Sequence, residues 1–459
     1  MTAQRASPHP EQHPEQHPEQ HLASLEAGEP LRSPAGWSQH GTVDSKAEWA
    51  VQFPVHVGVD TGKVFHKMVA RGPDGRRLGA QVVPVSREGF DAADAYLATT
   101  FPHVPRSRIL VGLEFAGHYG FTFAHDLHRR GYQIVNVLAS VTKRLKEVED
   151  NSPRKSDDKD AAQIAKLLAQ GYFVSYPFLS DTAAELRFLA TERRRLAVEQ
   201  TRHRNRLLAV LDLAWPEFMR HFSTIVKPTP LALLQAWPLP ADLAAAPRRT
   251  VNKLARDVSQ NHMPKPRLDA LLTDARTSVA LTAGSEARRA EILRLLDRLL
   301  LVREHAAEVE IRLRALVELT PAARALTTVP GIDVVCAATI IAEVGDPHDY
   351  VSPRQILKLA GMNLARKESG VSVRGRLRQT KRGRPALRRQ LFLLAGRWCQ
   401  QRGLARAEYE ALQARNGGAK ISAMCAVARK LVPMLLHLMQ TGEEFRAEVW
   451  LERHRVHEK

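Results

Sequence analysis

Apolar and polar residues fall into two rhythms along this chain, and the change between them comes near residue 180. Before it, short apolar runs alternate with turn residues and short helical stretches. After it, leucines recur at helical spacing over long segments. Order begins at Phe53-Pro54-Val55-His56-Val57-Gly58-Val59-Asp60, an apolar strand closing on an acid. Phe65 to Ala70 and Gly79 to Pro84, parted by Gly72-Pro73-Asp74-Gly75, then read as strand, turn, strand, so the three form a meander. A helix is predicted from Arg87 to about Thr100, and a second apolar strand, Arg108 to Glu114, again closes on an acid. The turn Phe115 to Gly120, a helix through Arg130 and a strand from Gln133 to Leu138 follow. In the next helix, Ala161, Ala162, Ile164, Ala165, Leu167 and Leu168 share one face. Such alternation predicts a mixed α/β domain over residues 51–180.

From Asp181 to about Leu213, Leu186, Leu189, Leu196, Leu207, Leu208 and Leu211 interleave with Arg193, Arg194, Arg195, Arg202, Arg204 and Arg206. This is a long amphipathic helix of coiled-coil type, ended by Trp215-Pro216. Residues 216–284 carry Pro228, Pro230, Pro238 and Pro240 among short helical stretches, with no legible chemistry. A second long helix runs from Ser285 to Leu319 through Ile292, Leu295, Leu299 and Val302. The two can pair antiparallel within one chain or join a second chain, and residues 181–320 are accordingly read as a helical linker region. Val329-Pro330-Gly331 ahead of an apolar helix suits a helix-hairpin-helix, whose turn amides meet a DNA phosphate; a plain helix–helix turn has the same pattern. It opens a mainly helical domain over 321–440, followed by a tail, 441–459. At the other end, residues 1–50 hold a His-Pro-Glu-Gln repeat from His9 to Gln20, with too little apolar surface to offset ordering entropy, and are expected to be a disordered tail.

Composition narrows the partners. A chain of 459 residues exceeds one ordinary core. Its net charge of +18 and pI near 10.1 imply a polyanion, of which nucleic acid is the obvious one. Aromatic residues are only 6%, so phosphate contacts rather than base stacking should dominate. Cys336, Cys399 and Cys425 are widely spaced within apolar patterns, which suits buried thiols in a reducing compartment and offers no zinc spacing. No uninterrupted apolar run reaches the roughly 18 residues that span a bilayer, and no secretory signal is present, so the expectation is cytoplasmic with no membrane partner.

The stretch Lys155-Ser156-Asp157-Asp158-Lys159-Asp160-Ala161 sets carboxylates at helical spacing as a helix begins. Asp157 and Asp160 share a face, while Asp158 adds a third acid to the motif. Spacing alone suits capping and the helix dipole equally well. Asp60 and Glu114 change that balance, because both close apolar strands and one α/β core can bring all four acids to the same edge. Clustered carboxylates repel unless Mg²⁺ or Mn²⁺ lies between them, and such ions suit phosphodiester chemistry. Downstream come Leu359-Ala360-Gly361-Met362-Asn363 and Lys367-Glu368-Ser369-Gly370, then a run with Arg374, Arg376, Arg378, Lys381, Arg382, Arg384, Arg388 and Arg389. No acid interrupts it from Val371 to Arg389, and these cations are expected to bind nucleic acid. The Ser369 hydroxyl can meet a phosphodiester there, although serine before glycine is ordinarily a turn, and Ser372 lies close by.

Taken in order, Val-Gly-Val-Asp60, Gly-Leu-Glu114, Lys-Ser-Asp157-Asp-Lys-Asp160-Ala, Val-Pro-Gly331, Leu-Ala-Gly361-Met, Glu-Ser369-Gly and Thr-Lys-Arg-Gly383 resemble the Asp-Glu-Asp-Asp transposases of bacterial insertion sequences. These are also described as bridge-RNA-guided recombinases. The likeness covers about residues 53 to 440. It implies a RuvC-like domain of RNase H fold, a coiled-coil linker and a transposase domain bearing a serine nucleophile. Asp60, Glu114, Asp157 and Asp160 would then be catalytic and hold Mg²⁺, and Ser369 would attack the phosphodiester to form a covalent protein–DNA intermediate. Double-stranded DNA at the element ends and target, a guide RNA, and a homodimer or homotetramer with composite sites are implied too, in a bacterial, nucleoid-associated setting. Three other readings compete: a metal-only nuclease of the Holliday-junction type with a structural Ser369; an actin-like kinase using Gly58-Val59-Asp60-Thr61-Gly62 as a phosphate turn; and a non-catalytic nucleic-acid scaffold.

Overall fold

The computed structural model describes residues 43–115, 117–149, 157–176, 178, 180–365, 368–369, 373–374, 377–400 and 404–454. The His-Pro-Glu-Gln repeat expected to be disordered lies outside them. The described residues form two compact units: one holds those up to Phe178 together with His348–Gln355, the other those of Leu179–Pro347 and from Ile356 onward.

The first unit is α/β. Its elements are α1 (Val43–Ala50), β1 (Val55–Thr61), β2 (Phe65–Arg71), β3 (Arg77–Pro84), α2 (Arg87–Thr100), β4 (Ile109–Glu114), α3 (Phe121–Arg129), β5 (Gln133–Asn136), α4 (Ala139–Glu149), α5 (Asp157–Ala169) and β6 (Val174–Ser175). The sheet order is β3-β2-β1-β4-β5-β6. The first three strands form the expected antiparallel meander, while β1, β4 and β5 run parallel. Because side chains alternate along a strand, the sheet has two distinct faces. Val55, Val57, Val59, Ile109, Val111 and Leu113 pack one face against Phe90 and Leu97 of α2 and Phe123 and Leu127 of α3. Leu110, Val135 and Val137 pack the other against Ile164, Leu167 and Leu168 of α5 and Trp49 and Phe53 beside α1.

Residues 43–50, counted in the expected tail, are instead part of this core: Lys46 Nζ donates to the Phe173 carbonyl at 2.8 Å, and Trp49 packs edge-on against Phe53. Of the pair only Trp49 is counted in the expected tail, because it follows a long polar, proline-rich stretch.

The second unit is helical. Its two long helices, α6 (Asp181–Ala214) and α11 (Ser285–Leu319), pack along each other. Ion pairs from Arg312 to Glu185 at 2.9 Å, Arg193 to Glu310 at 2.6 Å and Arg206 to Glu291 at 2.9 Å fix them as antiparallel. The pairing is therefore made within the chain. Ile292, Leu295, Leu299, Val302, Ala306, Val309, Leu313 and Val317 are buried on α11 and spaced three and four apart as in a coiled-coil seam, with Leu296 buried beside them. Residues 216–284, silent in the sequence, contribute α7 (Pro228–Ala236), α8 (Pro240–Ala245), α9 (Arg248–Ser259) and α10 (Lys265–Arg276). They share a core with one end of the long pair through Trp215, Phe218, Leu234 and Leu271.

After α12 (Pro321–Thr327) and α13 (Val334–Val344) come α14 (Pro353–Leu359) and four short strands, β7 (Leu364–Ala365), β8 (Glu368–Ser369), β9 (Val373–Arg374) and β10 (Arg378–Gln379). The chain then continues with α15 (Pro385–Gln400), α16 (Arg406–Arg415), α17 (Lys420–Thr441) and α18 (Ala447–His454). Helix α17 is long and apolar enough to cross a membrane by composition. Its Val427, Leu431, Leu435 and Met439 are buried, and it packs on α12, α15 and α16. The segment read as a C-terminal tail also folds, since Trp450 is buried edge-on against Trp398.

Candidate active site

The geometry begins with two glycines. Gly58 on β1 and Gly112 on β4 are register partners, and together they leave a trough on one face of the sheet. A Cβ at Gly58 would collide with the Ala161 carbonyl and the Ala165 amide, and one at Gly112 with the Leu168 side chain. Helix α5 thus lies directly on backbone at the centre of the sheet, which only glycine permits.

Two residues further along both strands, on this same face, stand Asp60 and Glu114, again register partners. Thr61 Oγ1 donates to the Glu114 carbonyl at 2.7 Å and ties the two strand ends together. Neighbouring strands are about 4.8 Å apart, so carboxylates in one row can share a cation. Asp160 directly precedes Ala161, whose carbonyl overlies Gly58, and Asp157 is one helical turn earlier. The side chains of Asp157 and Asp158 lie outside the described residues. Among the described residues no three acidic, histidine or cysteine side chains converge as a metal site. The donor chemistry nonetheless fits Mg²⁺ or Mn²⁺, because every contributor is a carboxylate oxygen.

Sequence reasoning missed the other occupants of this edge. Lys67 on β2 is the antiparallel register partner of Asp60, so the row reads Lys67, Asp60, Glu114. Its signal was available: once the hairpin is closed at residues 62–64, strand alternation places Lys67 beside the acid. The hairpin end also forms a cleft of about 380 Å³ lined by Asp60, Thr61, Gly62, Lys63, Val64, Phe65 and Lys67. Behind it His66 is buried, stacked on Phe90 and Phe123 with ring centroids 6.3 and 5.3 Å away. Gly62 N–H donates to its Nδ1 at 3.3 Å, and burial pushes its pKa down to about 4.

Ser369 belongs to the second unit. It sits in β8, paired antiparallel with β9 so that Ser369 faces Val373 and Glu368 faces Arg374. The side chains of Ser369 and Arg374, and all of Ser372 and Arg376, lie outside the described residues.

The remaining cations separate into two groups. Arg378, Lys381 and Arg382 are exposed. Arg384 instead binds the Glu343 carbonyl and lies 3.8 Å from its carboxylate, and Arg388 donates to the Ala360 carbonyl at 2.8 Å. Both hold the chain where two motifs interlock: Lys381 N–H donates to Gly361 O at 3.0 Å and Arg384 N–H to Leu359 O at 2.7 Å. Gly361 is required there, because its φ is +66° and the Arg382 backbone stands 2.9 Å from where a Cβ would be.

The Pro330-Gly331 turn docks on α15. Trp398 Nε1 donates to the Pro330 carbonyl at 2.7 Å, Arg397 donates to the Gly331 carbonyl, and Asp333 caps α13 by accepting from Cys336 N–H at 2.7 Å. An acid at that helix start disfavours a phosphate there.

Comparison with known proteins places two stretches of the chain in one family. Residues 57–216 match a family model of IS110-type DEDD transposases, described as "Transposase", and residues 323–410 match the "Transposase IS116/IS110/IS902 family". The "Insertion element IS110 uncharacterized 43.6 kDa protein" of Streptomyces coelicolor is 25% identical over 394 residues, which are 84% of this chain and 94% of that protein. The "Insertion element IS116 uncharacterized 44.8 kDa protein" of Streptomyces clavuligerus is 24% identical over 397 residues, 85% of this chain and 96% of that one. With two models of one family falling on its two halves and relatives matched nearly end to end, the chain belongs to the IS110 family of insertion-element transposases, enzymes that recombine DNA.

Proposed function

We propose that the first unit is an RNase-H-type nuclease domain of RuvC-like design in which Asp60, Glu114, Asp157 and Asp160 hold Mg²⁺ or Mn²⁺, and that Ser369 is the nucleophile of DNA strand exchange. The observation that carries this reading is the row Asp60–Glu114 beneath the start of α5. The antiparallel meander followed by parallel β4 and β5 supports the fold assignment.

Divalent ions at this edge supply positive charge to a phosphodiester and assist ionisation of the attacking group. The protein's own groups do the rest. Ser369 Oγ forms an ester bond to phosphorus, the scissile bond to the neighbouring sugar oxygen breaks, and the hydroxyl proton ends on that leaving oxygen. Rejoining runs the same exchange with another strand's hydroxyl. Exposed Arg378, Lys381 and Arg382, with Arg374 and Arg376, hold phosphates of the strand. The acids and the serine come from different units, so a composite site in a dimer or tetramer, with acids from one subunit and serine from another, fits this division.

A guide RNA completes the reading: base pairing chooses the sequence, while a chain of net charge +18 grips backbones. The protein then works at the nucleoid. The test is Ser369→Ala in the full chain, incubated with element-end DNA and the transcript of the DNA flanking its gene. Loss of both the covalent adduct and cleavage supports the serine mechanism; retained cleavage points to acids that activate water by themselves.

A further inference from the structure

The hairpin between β1 and β2 carries more than a turn. Lys63 lies at its tip, exposed, and makes no ion pair among the described residues. It lines the same cleft as Asp60, with Val64 72% and Phe65 42% exposed on the rim. A lysine ammonium facing solvent beside a carboxylate row has no folding task there, and its charge is the opposite of the metal ligands.

The turn is also built to hold one shape. Gly62 packs so tightly against the Phe65 carbonyl that no Cβ fits. Its N–H donates to His66 Nδ1 at 3.3 Å, which requires that nitrogen to be unprotonated. The His66 ring is fully buried and clamped by Phe90 and Phe123, and its Nε2 has no partner among the described residues. Of the two ring nitrogens Nδ1 is the one in use, and its bond to Gly62 fixes the turn bearing Lys63.

We infer that this hairpin is a phosphate seat: Lys63 grips a DNA phosphate adjoining the scissile bond, and His66 is a positioning residue that presents it. The inference rests on the acids being the reactive edge, as proposed above. A compact ammonium on a flexible stem suits one non-bridging phosphate oxygen as a point charge. It would set the strand's register over the acid row without being a metal ligand.

The experiment uses the full chain with element-end DNA and the transcript of the flanking DNA, reading cleavage rate, the salt dependence of DNA binding, and Mn²⁺ binding separately. Lys63→Gln is expected to slow cleavage about 10–100-fold and to lower the slope of log K against log salt by about 1, with Mn²⁺ binding unchanged. Lys63→Arg, which keeps the charge, is expected to retain most of the slope. His66→Phe, which keeps the stack but not the acceptor, should slow cleavage too, and His66→Asn, which restores an acceptor, should recover part of it. A Lys63→Gln protein with wild-type rate and slope overturns the phosphate seat, and so does one that loses Mn²⁺. Asp60→Asn that cleaves normally overturns the acid reading instead, so the two failures are distinguishable.

Discussion

Asp60 and Glu114 are direct register partners on adjacent parallel strands, at the ends of β1 and β4 and on the face that carries α5. Fifty-odd residues of sequence lie between them, yet the sheet sets them side by side. The glycine pair Gly58 and Gly112, two residues earlier on the same face, lets α5 come down onto the strand backbone, with the Ala161 carbonyl over Gly58.

That dependence on glycine makes the first prediction. Gly58→Val drives a side chain into the Ala161 carbonyl and Ala165 amide, which cannot yield without moving the helix. It should destabilise the protein by about 2–4 kcal/mol and abolish cleavage. Gly112→Ala meets only the Leu168 side chain, which can change rotamer, and should cost about 1 kcal/mol. Thermal melts and cleavage assays on both variants check the ranking.

A pH dependence follows from two buried histidines. Burial lowers the His66 pKa from 6.5 to about 4, and burial also lowers that of His56, against the hydrogen bond to the Ala50 carbonyl. For His66, between about 6.5 and 4, the unfolded chain therefore binds a proton that the folded chain refuses, and His56 acts in the same direction below 6.5. Stability is complete above this window and declines as pH falls through it, by at most about 1.4 kcal/mol per pH unit for each histidine. Denaturant unfolding across the window should show the slope, and His66→Phe should remove the His66 share of it.

The long helices are held by their seam and not by their outer faces. Leu299→Ala should cost about 2–5 kcal/mol, because it empties a fully buried position shared with the small helices around Trp215. Ile311→Ser, at a position 70% exposed on the same helix, should stay within about 0.5 kcal/mol. Comparing their melting curves separates the two faces.

The arginine-rich run should divide in the same manner. Arg382→Ala should weaken DNA binding and reduce its salt slope by about 1, with little change in stability. Arg388→Ala removes the donor to the Ala360 carbonyl and should lower stability by about 1–3 kcal/mol. Equal effects of both substitutions on the two readouts would contradict the division.

Much of the secondary structure is legible in the sequence because its signals are local. The strands closing on Asp60 and Glu114, the helix Arg87–Thr100 and the helix Ser285–Leu319 follow from periodicity alone. What escaped needs partners distant in the chain. Trp49 and Trp450 sit in polar neighbourhoods, and only their contacts with Phe53 and Trp398 reveal them as core. Arg384 and Arg388 look like Arg382 until the Glu343 and Ala360 carbonyls come into reach. Lys67 needed the hairpin register, and the antiparallel pairing of α6 with α11 needed the ion pairs between them.

The acidic edge itself is tested most directly by Mn²⁺ titration of the full chain, followed by electron paramagnetic resonance, in wild type and in Asp60→Asn, Glu114→Gln and Asp160→Asn. Bound Mn²⁺ in the wild type, lost or weakened at least about 10-fold in each variant, is the expected result. Three variants that take up the ion as the wild type does would contradict a shared carboxylate site at the ends of β1, β4 and the start of α5.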